Sequence, residues 1–322
     1  MTSGSLDEEF RDFKPPTRQL RRQRRSRKTK IALIAITVAI LLGVAGGFLW
    51  LRSLENRMGL GPEGPKIIKE LDDPEGDHIN ILLVGTDKRL ARTSERADSI
   101  VFIRADKERK KAHLLSIPRD TRVNIPGRGM DKINHAWAFG EAPLLLATVK
   151  DYLDVEVNYF FKVDFAQFEK AVDAMGGVDF DSSAAWYDGE LGVQVREGLR
   201  HRNGKEAMAL VRNRRYGKGG GSDLARVSLQ QDFLKAMIAQ SVNSYADVPG
   251  AANVVASYVS TNMGLAEMIG VGRIFAGQDI DMDSAVLPGK SGMISGVSYI
   301  IPDLEAKETL VEAMKRSQPF PE

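Results

Sequence analysis

Residues 31–51, IALIAITVAILLGVAGGFLWL, run for 21 positions without a charge. About 20 such residues span the hydrocarbon of a bilayer as a helix. In lipid a lone segment must satisfy its own backbone hydrogen bonds, so a helix is the form expected of it. The stretch before it, RQLRRQRRSRKTK, carries eight Lys/Arg between Arg18 and Lys30. Such a flank stays in the cytoplasm, which puts the bulk of the chain on the outer side of the cell membrane. A cleaved secretory signal has a shorter apolar region and a small-residue cleavage site. This run is longer and ends in Phe-Leu-Trp-Leu-Arg, which favours a retained single-pass anchor, with Trp50 at the outer interface. The basic stretch could also be read as binding nucleic acid. Its place against the apolar run makes topology the better account, and no nucleic-acid partner is expected.

This sets the domain plan: a basic cytoplasmic tail over 1–30, a transmembrane helix over 31–51, a linker over 52–77 and an outer domain over 78–322. The linker reading rests on GLGPEGPK and LDDPEGD, where Pro, Gly and acidic residues lack periodicity. Charge divides along the same boundary. Residues 1–30 hold ten Lys/Arg against four Asp/Glu, and the remainder 35 against 39. An anion site in the outer part must therefore come from local clustering of Arg, not from global charge. The chain has no cysteine and four histidines, none paired at zinc-motif spacing, so disulfides and thiolate ligands are excluded and zinc chemistry is disfavoured.

In the outer part, HINILLVGTD (78–87), DSIVFIRAD (98–106) and KAHLLSIP (111–118) read as strands, the last two joined by a polar turn that suits a hairpin. Residues 141–153, 166–177, 204–212 and a long stretch from Ser222 have helical periodicity, with further helices expected near 249–259, 264–276 and 303–316. The expected fold is α/β: a mixed central sheet flanked by helices.

Charge gathers at the ends of these elements. SIPRDTRVNIPGRGMDKINHAW (116–137) brings Arg119, Asp120, Arg122, Arg128, Asp131 and Lys132 just past a strand, with Asn134 after them. Asp87 follows the first strand; Arg96 and Asp98 open the second. VRNRRYGKGGGSDLARVSLQQ supplies Arg212, Arg214, Asp223, Arg226 and Gln230. Arg226 and Gln230, at i and i+4, share a helix face, and Arg212 and Arg214 would point the same way in an extended segment. Three readings compete for such charge: a solvated loop, a structural ion-pair network, or a grip on an anion. Arginine forks bind phosphate oxygens bidentately and stay charged. Carboxylates beside them can hold Mg2+ or Mn2+, and such a set suits phosphoryl transfer. No Gly-x-x-x-x-Gly-Lys motif is present, so this is not a P-loop site.

Six blocks in order, NILLVGTDKR, RADSIVFI, LLSIPRDTRVNIPG, DKINHAWAFG, YFFKVDFAQFEKAVDAMGGVDF and ALVRNR…SDLARVSLQQDFLKAM, resemble the signatures of the LytR-CpsA-Psr family over roughly residues 78–240. The resemblance implies a Mg2+-assisted phosphotransferase of the cell envelope. It would move a glycopolymer from an undecaprenyl-pyrophosphate carrier onto peptidoglycan through a phosphodiester, with the polyprenyl tail in an apolar tunnel between sheet and helices. By the same resemblance Asp87 and Asp98 associate with the metal. Arg96 and Arg119 hold the pyrophosphate and, with Asp98, form the catalytic set. Lys132, Asn134, Arg212, Arg214, Asp223, Arg226 and Gln230 complete the pyrophosphate grip. Asp98 as a base toward the acceptor hydroxyl stays open. Two positions depart from the family: Leu229 stands where a second Arg is common in the long helix, and Ala97 where Ser is common. Arg122 and Arg128 fall outside the matched set and read as solvated loop charge. Rival functions are a non-catalytic polyprenyl-phosphate-binding regulator and a pyrophosphatase acting on the same donor. The polymer itself is not written in these residues.

Overall fold

The computed structural model describes residues 52–87, 95–213, 223–264, 266–268, 270–271 and 281–321, less 244–256. The tail and the anchor run lie outside them, as do most of the helices expected near 249–259 and 264–276. Among the described residues no helix is long and apolar enough to cross a membrane.

Three strands, β1 (His78–Asp87), β2 (Arg96–Asp106) and β3 (Lys111–Ser116), form an antiparallel meander. β4 (Arg122–Ile125) and β5 (Gly129–Lys132) make a small hairpin after it. β6 (Tyr159–Asp164) adds parallel to β1, β11 (Val259–Thr261) caps β6, and β12 (Asp281–Val286) adds parallel to β3. The six-stranded order is β11-β6-β1-β2-β3-β12. This is the mixed sheet expected. β1, β3, β6 and β12 all run one way, so their carboxyl ends share one edge.

β1 is central and apolar on both faces because both are covered. Leu82, Val84, Ile100, Phe102, Leu115 and Phe160 bury one face against Leu145, Leu146, Val149, Leu310 and Met314. These belong to α2 (Ile133–Leu153) and α6 (Leu304–Lys315). On the other face Leu83, Val101, Ile103 and Leu114 meet Leu234 of α5 (Asp223–Asn243), and Ile81 and Phe161 meet Met263 and Met268. Ile81, Leu83, Ile103 and Phe161 are only partly buried there. A second core joins α3 (Phe165–Ala174), β7 (Val178–Ser182), β9 (Val193–Val195), α4 (Gly204–Arg212) and α5 through Val172, Phe180, Val195, Leu210 and Phe233. β7 pairs with β10 (Gly198–Arg202), β9 with β8 (Trp186–Asp188), and β13 (Gly289–Ile294) with β14 (Val297–Pro302).

The expected linker over 52–77 is partly folded into the domain. Gly61–Glu63 is a 3-10 turn and α1 (Gly64–Glu70) a helix, each with proline in its first positions. Proline is at home there, where its missing N–H is no loss, and composition alone hid this. Ile67 joins the main core. Asp72 then accepts from the Val157 N–H at 2.9 Å and from Lys150 Nζ at 2.8 Å. Asp72→Ala is expected to cost about 1–2 kcal/mol, read from the urea midpoint of the full chain. An unchanged midpoint would show that this segment is not fastened to the domain.

α2 begins eight residues before the expected helix and bends at Gly140 and Glu141, whose φ is 54°. Pro143 falls in the first turn after this break, where its missing N–H costs no helix bond. The short first part carries the end of the DKINHAWAFG block straight from β5.

Candidate active site

The strand end that carries the site is shaped by a bulge. Gly85 pairs with Ser99, but Thr86 pairs with Ala97, which leaves Asp98 as the extra residue of β2. A bulge bends its strand and re-aims a side chain. Ala97 itself is fully buried in the main core, so its missing hydroxyl changes nothing exposed. Asp98 Oδ1 accepts from Arg119 Nη1 at 2.5 Å. Arg119 Nε stands 3.6 Å from Asp120 Oδ2, and Asp120 Oδ1 accepts from Lys132 Nζ at 2.8 Å. All four side chains are mostly sheltered, between 14% and 28% exposed.

The backbone fixes these groups tightly. The Thr121 N–H and hydroxyl both donate to the Pro118 carbonyl, at 3.0 and 2.6 Å. The Ile300 N–H of β14 donates to the Asp120 carbonyl, and the Asn134 N–H to the Arg119 carbonyl. The β4–β5 hairpin sets Lys132 opposite Arg122, which returns the lysine to the turn that holds Arg119. Thr86 Oγ1, Ser116 Oγ and Asn134 Oδ1 are buried without a hydrogen-bond partner among the described residues. Buried polar atoms are nearly always paired. The three lie at the carboxyl ends of β1 and β3 and at the start of α2. Ligands of α/β sheets sit at this edge.

Of the residues singled out in the sequence, the structure thus joins Asp98, Arg119 and Lys132, with Asn134 alongside. Arg96 is exposed, and its backbone lies opposite Asp87 across β1 and β2. The Asp87, Asp223 and Arg226 side chains and all of Arg214 lie outside the described residues. Arg212 ends α4, not an extended segment, and forms an exposed ion pair with Glu190. Gln230 Nε2 donates to the Val211 carbonyl at 2.9 Å, tying α5 to α4. Leu229 packs on the second core.

α5 lies on the sheet: Gln231 bridges the Leu114 and Ala285 carbonyls, and Leu234 packs on the cluster of Val101, Ala112 and Leu114.

Sequence reasoning gave no role to Asp120 or to the Glu95–Lys162 pair at 2.8 Å. Lys162 also lies 5.4 Å from the Trp137 ring centre. A lone lysine inside the apolar strand YFFKVDF was the available signal. Burial tends to raise the Asp131 carboxyl, but bonds from His135, the Lys132 N–H and Tyr299 outweigh it and hold the group below the usual carboxylate range.

A mixed sheet with a cluster of paired arginine, lysine and carboxylates at its carboxyl edge defines an α/β protein with a charged site where such sheets take their ligands. The LytR_cpsA_psr family model matches residues 61–316, and the chain belongs to that family. It is 30% identical over 310 residues, 92% of this chain and 99% of the relative, to the polyisoprenyl-teichoic acid–peptidoglycan teichoic acid transferase TagU of Bacillus subtilis. The B. subtilis TagV crystal structure is similar, with a TM-score of 0.67 and 26% identity over 76% of this chain and all of TagV. A structure of YwtF (TagT) with bound octaprenyl pyrophosphate lipid matches at a TM-score of 0.59 and 27% identity, over 76% of this chain and 92% of that one.

Proposed function

We propose that this chain transfers a glycopolymer from a polyprenyl-pyrophosphate carrier, undecaprenyl in the cell, to a peptidoglycan hydroxyl, and that it does so as a single-pass protein facing outward. The observation that carries this reading is the Asp98–Arg119–Asp120–Lys132 cluster at the carboxyl edge of the sheet. It stands in a family whose relatives include a named teichoic acid transferase and a structure holding a polyprenyl pyrophosphate.

The acceptor oxygen attacks the phosphorus that bears the sugar. The bond from that phosphorus to the bridging oxygen breaks, polyprenyl monophosphate leaves, and the acceptor proton passes to a base or to water. Arg119 and Lys132 meet the charge that builds on the phosphoryl oxygens, and Asp98 and Asp120 hold the guanidinium in place. These four groups sum to zero charge, so a pyrophosphate needs further cations. Arg96 and, by the family resemblance, Arg214 and Arg226 would supply them. The partly buried apolar side chains Ile81, Leu83, Ile103 and Phe161 suit the lipid tail on the α5 face.

Mg2+ fits this donor set. Asp98 offers carboxylate oxygen and Asn134 Oδ1 is an unpartnered buried acceptor. Among the described residues no three His, Asp or Glu side chains converge, and Mg2+ needs only one or two carboxylates beside phosphate and water. Asp87 and Asp98 would hold it. When bound, the ion would neutralise charge on the donor's pyrophosphate as polyprenyl monophosphate leaves.

The test is transfer by the full chain from a polyprenyl-pyrophosphate-linked sugar to a peptidoglycan fragment. Asp98→Asn is expected to lower turnover about a hundredfold, and withdrawal of Mg2+ to lower it similarly. Tight donor binding with neither transfer nor hydrolysis would replace the transferase reading with a binding and sensing role. Hydrolysis without transfer would make the chain a pyrophosphatase.

A further inference from the structure

Arg122 and Arg128, read from the sequence as solvated loop charge, each lie over an aromatic ring. The Arg122 guanidinium carbon is 6.0 Å from the Tyr299 ring centre, and that of Arg128 is 5.1 Å from Phe139. The two stacks are joined. Phe139 meets His135 edge to face at 5.9 Å, His135 Nδ1 bonds Asp131 Oδ2 at 2.8 Å, and Asp131 Oδ1 is 3.5 Å from the Tyr299 hydroxyl. Lys132 closes the series: its ammonium is 5.8 Å from the Tyr299 ring centre and 2.8 Å from Asp120. One unbroken line of contacts thus leads from the phosphate cluster out across the two hairpins.

This line is open to solvent. Phe139 is 45% exposed and Met130, between Gly129 and Asp131 in β5, is 49% exposed. Gly292 is the residue opposite Tyr299 in β13, so no cross-strand side chain flanks the ring. Arginines already stacked on rings lose little entropy when they grip a carboxylate.

We propose that this strip is the subsite for the acceptor, a glycan strand of peptidoglycan with its peptide stems. The proposal rests on the transferase reading above. Aromatic faces stack on the apolar faces of amino-sugar rings, while Arg122 and Arg128 meet the stem carboxylates and Asp131 meets a stem ammonium. With Asp131 among Arg122, Arg128 and Lys132 the strip carries charge of both signs, as peptide stems do, where a polyphosphate carries one. Lys132, shared by the strip and the cluster, brings the sugar hydroxyl toward the phosphorus.

The experiment uses the full chain in detergent, a soluble disaccharide-peptide fragment as probe, and calorimetric affinity as readout. Arg128→Ala and Phe139→Ala are each expected to weaken fragment binding about five- to tenfold. Polyprenyl pyrophosphate affinity should change less than twofold. The glycan stripped of its peptide should bind several-fold more weakly than the intact fragment. Unchanged fragment affinity in the double variant, with thermal unfolding like that of the parent chain, would overturn the proposal. So would a glycerol-phosphate oligomer that competes with the fragment and binds the strip more tightly. Strip-dependent fragment binding with no transfer at all would uphold the surface and sink the transferase reading alone.

Discussion

Arg119→Ala is expected to lower kcat/KM for transfer about a thousandfold while leaving the fold intact, on the scale seen when one preorganised charge partner of a phosphoryl group is lost. Two terms add. The guanidinium that would meet the phosphoryl oxygens disappears, and the carboxylates it neutralised remain. Asp98 and Asp120 both lean on Arg119, so the four-group cluster changes from neutral to one net negative charge where a pyrophosphate must enter. Arg119→Lys returns the charge without the two-pronged geometry and is expected to recover activity only in part. The turn itself survives either change. Its shape depends on backbone bonds from Thr121 to Pro118, from Asn134 to Arg119 and from Ile300 to Asp120, none of which uses the guanidinium. The check is single-turnover transfer with thermal unfolding run in parallel. Equal rates in Arg119→Ala and the parent chain, with donor saturating, would remove Arg119 from the site.

Much of this site was legible because its residues sit at strand ends, where alternation stops and charge begins. Strand ends brought Arg119, Asp98 and Lys132 into view and the family resemblance chose them; the structure links them in the order Asp98–Arg119–Asp120–Lys132. What sequence hid was register. Nothing in RADSIVFI announces that Asp98 is the unpaired residue of a bulge, although Gly85 across from Ser99 is a weak local signal. The helical periodicity of 204–212 was legible, and the capping box of Asn203 and Glu206 starts that helix, which runs through Arg212. The i, i+2 spacing to Arg214, which would align the two only in an extended segment, does not apply at Arg212. The stacked arginines of the proposed acceptor strip were out of reach altogether. Tyr299 comes to Arg122 only because β14 docks on the turn that holds Asp120, a contact spanning well over a hundred residues of chain.

Gly204→Ala should be the most damaging small substitution in the second core, costing roughly 3–4 kcal/mol as forced overpacking against backbone. A methyl group at Gly204 would lie 2.0 Å from the Glu169 carbonyl oxygen of α3, and the Gly204 N–H donates to Asp173 at 2.6 Å. Backbone meets backbone there, so no side-chain rotation relieves the clash, and α4 must move off α3. The effect reaches the site through a short chain of contacts. α4 supplies Ala207, Leu210 and Val211 to the second core, and the Val211 carbonyl receives Gln230 of α5. Displacing α4 therefore shifts α5, the helix that carries Gln230 and seats on the sheet through Gln231 and Leu234. Gly204→Ala should lower the urea midpoint and weaken polyprenyl pyrophosphate binding together. Gly189→Ala, whose added methyl would meet nothing closer than 3.9 Å, should stay within about 0.5 kcal/mol of the parent chain. If the Gly204 variant lost stability but bound the donor as before, α5 would not depend on α4 for its position, and Gln230 would be left with no part in shaping the site.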